Sequence, residues 1–404
     1  MGGCVKSLLL IFSAAVFLGA CTSSPSPVLP PLMLAPLQPE IQVNSEWRRK
    51  IGTGVSDGYL HLPPAYSAAT AYALDAQGNL EAIHLDSGNI AWRKAYTVPF
   101  SSAPVISKDT LYVGTLQGEL LAINIRQGAI IWRQQLSSEV LAPVATNGDM
   151  VVVRSVDGTV AALRAADGKQ LWTHSDSVPA LTLRGQSAPV IADDILVYAT
   201  DEGKLFALTL RNGTELWSRA IAIPQGGTEL ARMIDVDASP VIYDNTIYVA
   251  AYQGRLSAVN LHSGRIVWVR EISTHTGLAV DAYRLYLSDS EGQVWALDRV
   301  NGATLWKQDK LLRRGVTAPS LQNGYLAVAD FNGFVHWLAR EDGRLVARTR
   351  LSRHDGLDEG EDFEHLKFAK WNNILAKPRS LDPTRILVID RTGWLEAFKL
   401  RLSE

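Results

Sequence analysis

The sequence predicts an all-β fold: an eight-bladed β-propeller of four-stranded antiparallel blades, closed by pairing of its N- and C-terminal strands. Three observations predict it. First, a glycine recurs at 78, 118, 158, 203, 254, 292, 333 and 393; four residues beyond each stands alanine, except that Trp337 follows Gly333. Second, another glycine follows the first seven by ten residues, from Gly88 to Gly343. Four residues later comes Trp92, Trp132, Trp172, Trp217, Trp268 or Trp306, with Ala347 in the seventh unit. A fixed period of roughly 40 residues with short strands marks a propeller or similar array. Third, the eighth unit ends before a tryptophan strand, while Ser45-Glu46-Trp47-Arg48-Arg49 supplies one with no unit before it. Half a blade from each end makes one whole blade and pairs edges that an open array would expose.

Each unit contains the pieces of a blade. Runs such as Leu111-Tyr112-Val113 and Ile130-Ile131-Trp132 are β-branched or aromatic and of strand length. Asp157-Gly158, Asp167-Gly168, Asn212-Gly213, Asn301-Gly302 and Asn332-Gly333 accept positive φ, and predict two-residue hairpins. Pro104, Pro143, Pro189, Pro240 and Pro319 open units, where a missing N–H is tolerated at the start of a strand. A tryptophan in the same place in each unit predicts inter-blade packing, its N–H finding a backbone acceptor.

Composition narrows the function. The chain has 404 residues, 47% of them hydrophobic, and a net charge of -2, which excludes wholesale disorder and a nucleic-acid binder working through a basic face. Its two cysteines, Cys4 and Cys21, exclude a cysteine-ligated structural zinc or a disulfide framework. Lys6 and the apolar run from Ser7 to Phe17 fit a signal peptide and are too short to span a bilayer comfortably. Leu18-Gly19-Ala20-Cys21 resembles the bacterial lipobox, which implies cleavage before Cys21 and its lipidation. Residues 1–20 are then a lipoprotein signal peptide and 21–40 a lipidated tether. Residues 41–404 are the propeller. The tether from Thr22 to Glu40 carries six prolines and one charge and favours extended polyproline conformations. A solvated spacer is the simpler reading of it, with Leu32, Met33 and Leu34 available to touch lipid or the domain surface. Thr22 after the cysteine, rather than Asp, points to the outer membrane.

The unit Leu116-Gln-Gly-Glu-Leu-Leu-Ala-Ile-Asn-Ile-Arg-Gln-Gly-Ala-Ile-Ile-Trp132 resembles the repeat of quinoprotein alcohol dehydrogenases, eight-bladed propellers that carry pyrroloquinoline quinone and calcium. A structural repeat transfers fold and not chemistry. Enzymes of that family commonly carry a vicinal cysteine pair beside the quinone, and no mature cysteine remains here for one. A periplasmic quinone-dependent dehydrogenase is therefore the runner-up; the expectation is no enzyme, no cofactor and no metal.

The lipobox, the proline tether and eight such units together resemble the outer-membrane protein assembly factor BamB family, propeller lipoproteins of the β-barrel assembly machinery. Two insertions extend the resemblance. Spacing between tryptophans is 40 from Trp92 to Trp132 and to Trp172, then 45 to Trp217 and 51 to Trp268, so the added residues sit in loops, where function concentrates. In the family, matching segments contact the periplasmic POTRA domains of the barrel subunit. The resemblance carries that role to Leu181, Leu183 and Arg184, and to Asp235 and Asp237. In an extended loop Leu181 and Leu183 share a side, and apolar anchors beside an arginine make a hot spot. The alternative has the leucines tucked into the propeller and the aspartates capping turns. The longest insertion, Arg350 to Pro378, holds an acidic run and a possible short helix around Phe363 to Trp371. A solvated loop is its simpler reading, a second contact surface the functional one. The resemblance implies a non-catalytic scaffold on the periplasmic face of the outer membrane. It would dock on POTRA domains, with nascent outer-membrane proteins as possible further partners.

Overall fold

The computed structural model describes residues 29–55, 60, 62–176, 187–222, 238–251, 254–351 and 377–401. The body that begins at Pro31 contains eight sheets of four antiparallel strands. In chain order, blades 1 to 7 cover residues 65–95, 105–135, 145–175, 190–220, 241–270, 278–308 and 320–350. Blade 8 is composite. Its three inner strands are Arg379–Ser380, Arg385–Ile389 and Trp394–Arg401, and its outermost strand is Gln42–Lys50 from the other end of the chain. The N-terminal strand completes the last blade, as the sequence predicts, and the structure aligns Trp47 with Ala397.

The second and third strands of each blade are buried along nearly their whole length, as in Thr110–Gly114 and Glu119–Asn124. Both faces of a blade pack against neighbouring blades, so these strands read as continuous apolar runs rather than alternating ones. The outermost strands of blades 1, 3 and 4 hold only partly buried and exposed residues.

The Gly–Ala–Gly–Trp signature is a packing device. Alanine on the third strand faces tryptophan on the fourth: Ala82–Trp92, Ala122–Trp132, Ala162–Trp172, Ala207–Trp217, Ala258–Trp268 and Ala296–Trp306. Each indole then lies on the second glycine of the next blade. A Cβ on Gly168 would stand 2.6 Å from the Trp132 ring, and one on Gly213 2.6 Å from Trp172. The indole N–H donates to a carbonyl of that next blade, Trp132 to Ala165 at 2.9 Å and Trp47 to Leu85 at 2.8 Å. Only glycine fits, because the turn needs positive φ (72° at Gly168) and the ring occupies the space of a side chain.

Blade 7 keeps the pair with its members exchanged: Trp337 on the third strand faces Ala347 on the fourth. The volume of the pair is conserved, which is why the apparent breaks in the repeat do not break the blade. Trp337 is fully buried, packs edge-on to Phe398 of blade 8, and donates to Gln322 Oε1 at 2.8 Å.

Two expectations change. The Asp-Gly and Asn-Gly dipeptides do not form two-residue hairpins, since only their glycines have positive φ. Ser155 to Thr159, for example, closes with Gly158 N–H bonded to Ser155 O and Ser155 N–H to Thr159 O, a type I turn with a glycine bulge. The two-residue turns lie instead between first and second strands, where Ala68, Lys108, Asp193, Asp244, Asn245 and Asn323 take positive φ. The end of the expected tether also differs from a solvated spacer. Leu34 packs on the cluster containing Tyr286, Trp306 and Leu326. Leu32 N–H bonds to Leu312 O at 3.0 Å, and Glu40 N–H to Val346 O at 2.8 Å. Arg314 and Arg348 hold the Leu32 and Ala35 carbonyls, and Arg344 pairs with the Glu40 carboxylate at 2.9 Å. Residues 32–40 thus form a strap across blade 7, which has Ala347 where other blades have their clipping tryptophan.

Candidate functional site

Antiparallel strands alternate direction. Every crossing from an outermost strand to the next innermost strand therefore falls on the same side of the ring, together with the turns between second and third strands. Residues 177–186 make the crossing from Gln170–Ser175 to Val190–Ala192, and residues 223–237 the crossing from Glu215–Ala220 to Val241–Tyr243. The strand ends that bracket the two segments therefore lie on one side of the ring, at the two joints of blade 4. Leu181, Leu183 and Arg184 of the first, Asp235 and Asp237 of the second, and Cys21 lie outside the described residues, as does the possible helix around Phe363 to Trp371.

The feet of the two crossings are described, and they are joined. Ala188 N–H donates to Ser239 Oγ at 2.9 Å, linking the residue before Pro189 to the residue before Pro240. A buried polar group lies at the joint of blades 3 and 4. Arg154, at the end of Met150–Arg154 in blade 3, donates through Nη2 to Asp201 Oδ1 of blade 4 at 2.6 Å. Tyr198 stacks on Phe206 with ring centres 5.1 Å apart. Burial, with the Asp176 charge nearby, raises the pKa of its hydroxyl, so it stays protonated. Among the described residues, Arg154 Nε, Asp176 Oδ2, Ser187 Oγ and Tyr198 OH are buried polar atoms with no hydrogen-bond partner.

A second polar group lies on the same side, in blade 7. Arg314 Nε and His336 Nε2 both meet Asp330 Oδ2, at 2.7 and 2.9 Å. Burial opposes the Asp330 charge, but the hydrogen bond from His336 and the adjacent Arg314 guanidinium outweigh it and hold the carboxyl below its usual range. Burial lowers the His336 pKa, so the ring is neutral at pH 7 and donates its Nε2–H to Asp330. Asp330 Oδ1 also accepts from the Asn332 and Phe334 amides, which fixes the turn before Gly333. The eight innermost strands carry one charged residue, Arg379. Close by, Lys377 donates to Leu278 O at 3.3 Å, and burial lowers its ammonium pKa to about 8.

Sequence reasoning passes over Arg154, Asp201, Arg314 and His336, because none sits in a recognised motif. The signal that finds Arg154 and Asp201 is the repeat itself, since the other blades carry no charge at the place of the first and no acid at the place of the second. Among the described residues no group of three or more His, Cys, Asp or Glu side chains could hold a metal ion. Among them, too, no helix is long and apolar enough to cross a membrane.

Comparison with known proteins completes the description. A family model described as outer membrane protein assembly factor BamB matches residues 76–308. The outer membrane protein assembly factor BamB of Pseudomonas aeruginosa is 44% identical over 341 residues, which is 84% of this chain and 90% of that protein. The crystal structure of BamB from Moraxella catarrhalis superposes with a TM-score of 0.76 at 24% identity, covering 89% of this chain and 100% of that one. A europium-containing methanol dehydrogenase superposes with a TM-score of 0.68 at 10% identity over 88% of this chain and 93% of that one. That last likeness is one of fold.

Proposed function

This chain belongs to the outer membrane protein assembly factor BamB family, and from that premise we propose that it is a non-catalytic scaffold of the β-barrel assembly machinery. Lipidated at Cys21, it sits at the periplasmic face of the outer membrane. Its propeller docks on the POTRA domains of the barrel subunit and assists insertion of outer-membrane proteins. Leu181, Leu183 and Arg184 supply the apolar anchors and forked donor of a hot spot. Asp235 and Asp237 orient Arg184 or a basic partner group.

One observation supports this reading above the others. The two crossings that carry these residues flank a single blade on one side of a rigid ring, and their feet are bonded to each other through Ala188 and Ser239. Quinone chemistry has only the fold in its favour.

The test is capture of the purified POTRA domains by the full-length protein. Leu183→Ala or Arg184→Ala should weaken capture by about tenfold, a loss of about 1.4 kcal/mol, with the melting temperature unchanged. Unchanged capture by both variants rules out this loop as the docking site. A bound chromophore and dye-linked oxidation after addition of quinone and calcium would instead establish the dehydrogenase reading.

A further inference from the structure

We propose that Arg154 and Asp201 form an inter-blade latch that positions the two docking crossings around blade 4; the proposal rests on the docking reading above. The pair joins blade 3 to blade 4 at the joint which residues 177–186 cross, with an Nη2–Oδ1 distance of 2.6 Å and side chains only 6% and 7% exposed.

The repeat shows that neither residue is needed to build a blade. Arg154 stands four residues before Gly158. The same place in the other blades holds Leu74, Gly114, Ala199, Ala250, Ser288, Ala329 or Ile389, all uncharged. Asp201 stands two before Gly203. Its counterparts are Ala76, Leu116, Val156, Tyr252, Ser290, Phe331 and Arg391, none of them acidic. Two independent departures from the repeat meet across one joint, and that joint carries the first crossing.

Stability does not explain them. A buried ion pair rarely gains more than an apolar pair of like volume, because desolvating both charges offsets their attraction. Here Arg154 Nε, Ser187 Oγ and Tyr198 OH also find no partner among the described residues, an added cost. What a buried, directional pair does supply is a unique relative setting of the parts it joins. The setting of blade 3 on blade 4 fixes the start of the first crossing at Ser175 against its end at Ala188. Through the Ala188–Ser239 bond it also fixes the end of the second crossing. Arg154 and Asp201 are therefore positioning residues, and partner contact belongs to the crossings above them.

The test uses the full-length protein at low temperature, with each variant shown folded by near-ultraviolet circular dichroism. Arg154→Met combined with Asp201→Leu replaces the pair by apolar side chains; Arg154→Lys keeps the charge. The double variant should melt no lower than wild type yet capture the POTRA domains about tenfold more weakly, as expected if the competent setting falls to about a tenth of the population. Arg154→Lys should stay within about threefold of wild type. Hydrogen exchange gives a readout that needs no partner. In the double variant the Ala188 amide should exchange faster, while the Gly114 amide, held by Ser102 Oγ in blade 2, keeps its wild-type rate. Unchanged capture or unchanged Ala188 exchange in the folded double variant overturns the latch. If the wild-type protein captures nothing, the docking reading fails, and Ala188 exchange alone then decides the latch.

Discussion

Gly168→Ala tests the packing device on which seven of the eight joints between blades depend. At φ 72° an alanine is strained by about 1–2 kcal/mol. Its Cβ would also fall 2.6, 2.8 and 3.1 Å from Cε3, Cδ2 and Cζ3 of Trp132, so the indole must move. Trp132 is held between Ala122 and the next blade, and its N–H bond to Ala165 O leaves it no second seat. Forcing a methyl into such a core costs about 1–3 kcal/mol. The expected loss is therefore about 2–5 kcal/mol. The control is the same substitution at Gly324, whose φ is outside the positive region and whose added Cβ meets nothing within 4 Å. There alanine should be neutral or stabilise by up to about 1 kcal/mol through the unfolded chain. Urea unfolding followed by circular dichroism measures both, with the slope checked for constancy. If Gly168→Ala stays within about 0.5 kcal/mol of wild type at constant slope, the indole-on-glycine contact does not fasten the blades.

Three further outcomes are expected. Trp337→Ala should cost about 3–5 kcal/mol in urea unfolding, since it empties a fully buried site and strands Gln322 Oε1. Stability should fall as pH drops below about 6.5, because His336, its pKa lowered by burial, binds a proton in the unfolded chain before the folded one. Asp330 acts in the same direction but lower: its contribution is present above the unfolded value of 3.8 and is lost as pH falls through its depressed folded pKa. His336→Gln should make the slope below pH 6.5 shallower, the remainder belonging to groups such as the buried His275, as urea midpoints across that range will show. Leu34→Asp should loosen the strap, read as faster hydrogen exchange at the Leu32 and Glu40 amides with no change at Gly114.

The candidate site was legible in a different degree from the ring. The proposed docking residues come from the likeness of two insertions to a family's segments, and residues 177–186 and 223–237 are outside those described. What connectivity adds is that both insertions emerge on one side and flank one blade. The buried pair of Arg154 and Asp201 has no local sequence pattern. Arg154 and Asp201 are 47 residues apart, and each looks like an isolated surface charge until the blades are assembled. The turns illustrate the converse error. An Asp-Gly pair reports that positive φ is available, but the length of the loop decides which residue uses it.

By itself the sequence determined the number of blades, their order and the closure by Trp47 opposite Ala397. Those features repeat, and a repeat of glycine, alanine and tryptophan encodes contacts between neighbours that are always the same distance apart in the chain. Tertiary structure alone decided the exchange of Trp337 and Ala347, the strap of residues 32–40 over blade 7, and the buried pairs at Asp201 and Asp330. Each of these matches one residue to another in volume or charge, and only once. A pairing made once across a joint leaves no period to read, so it becomes visible only when the chain has brought its members together.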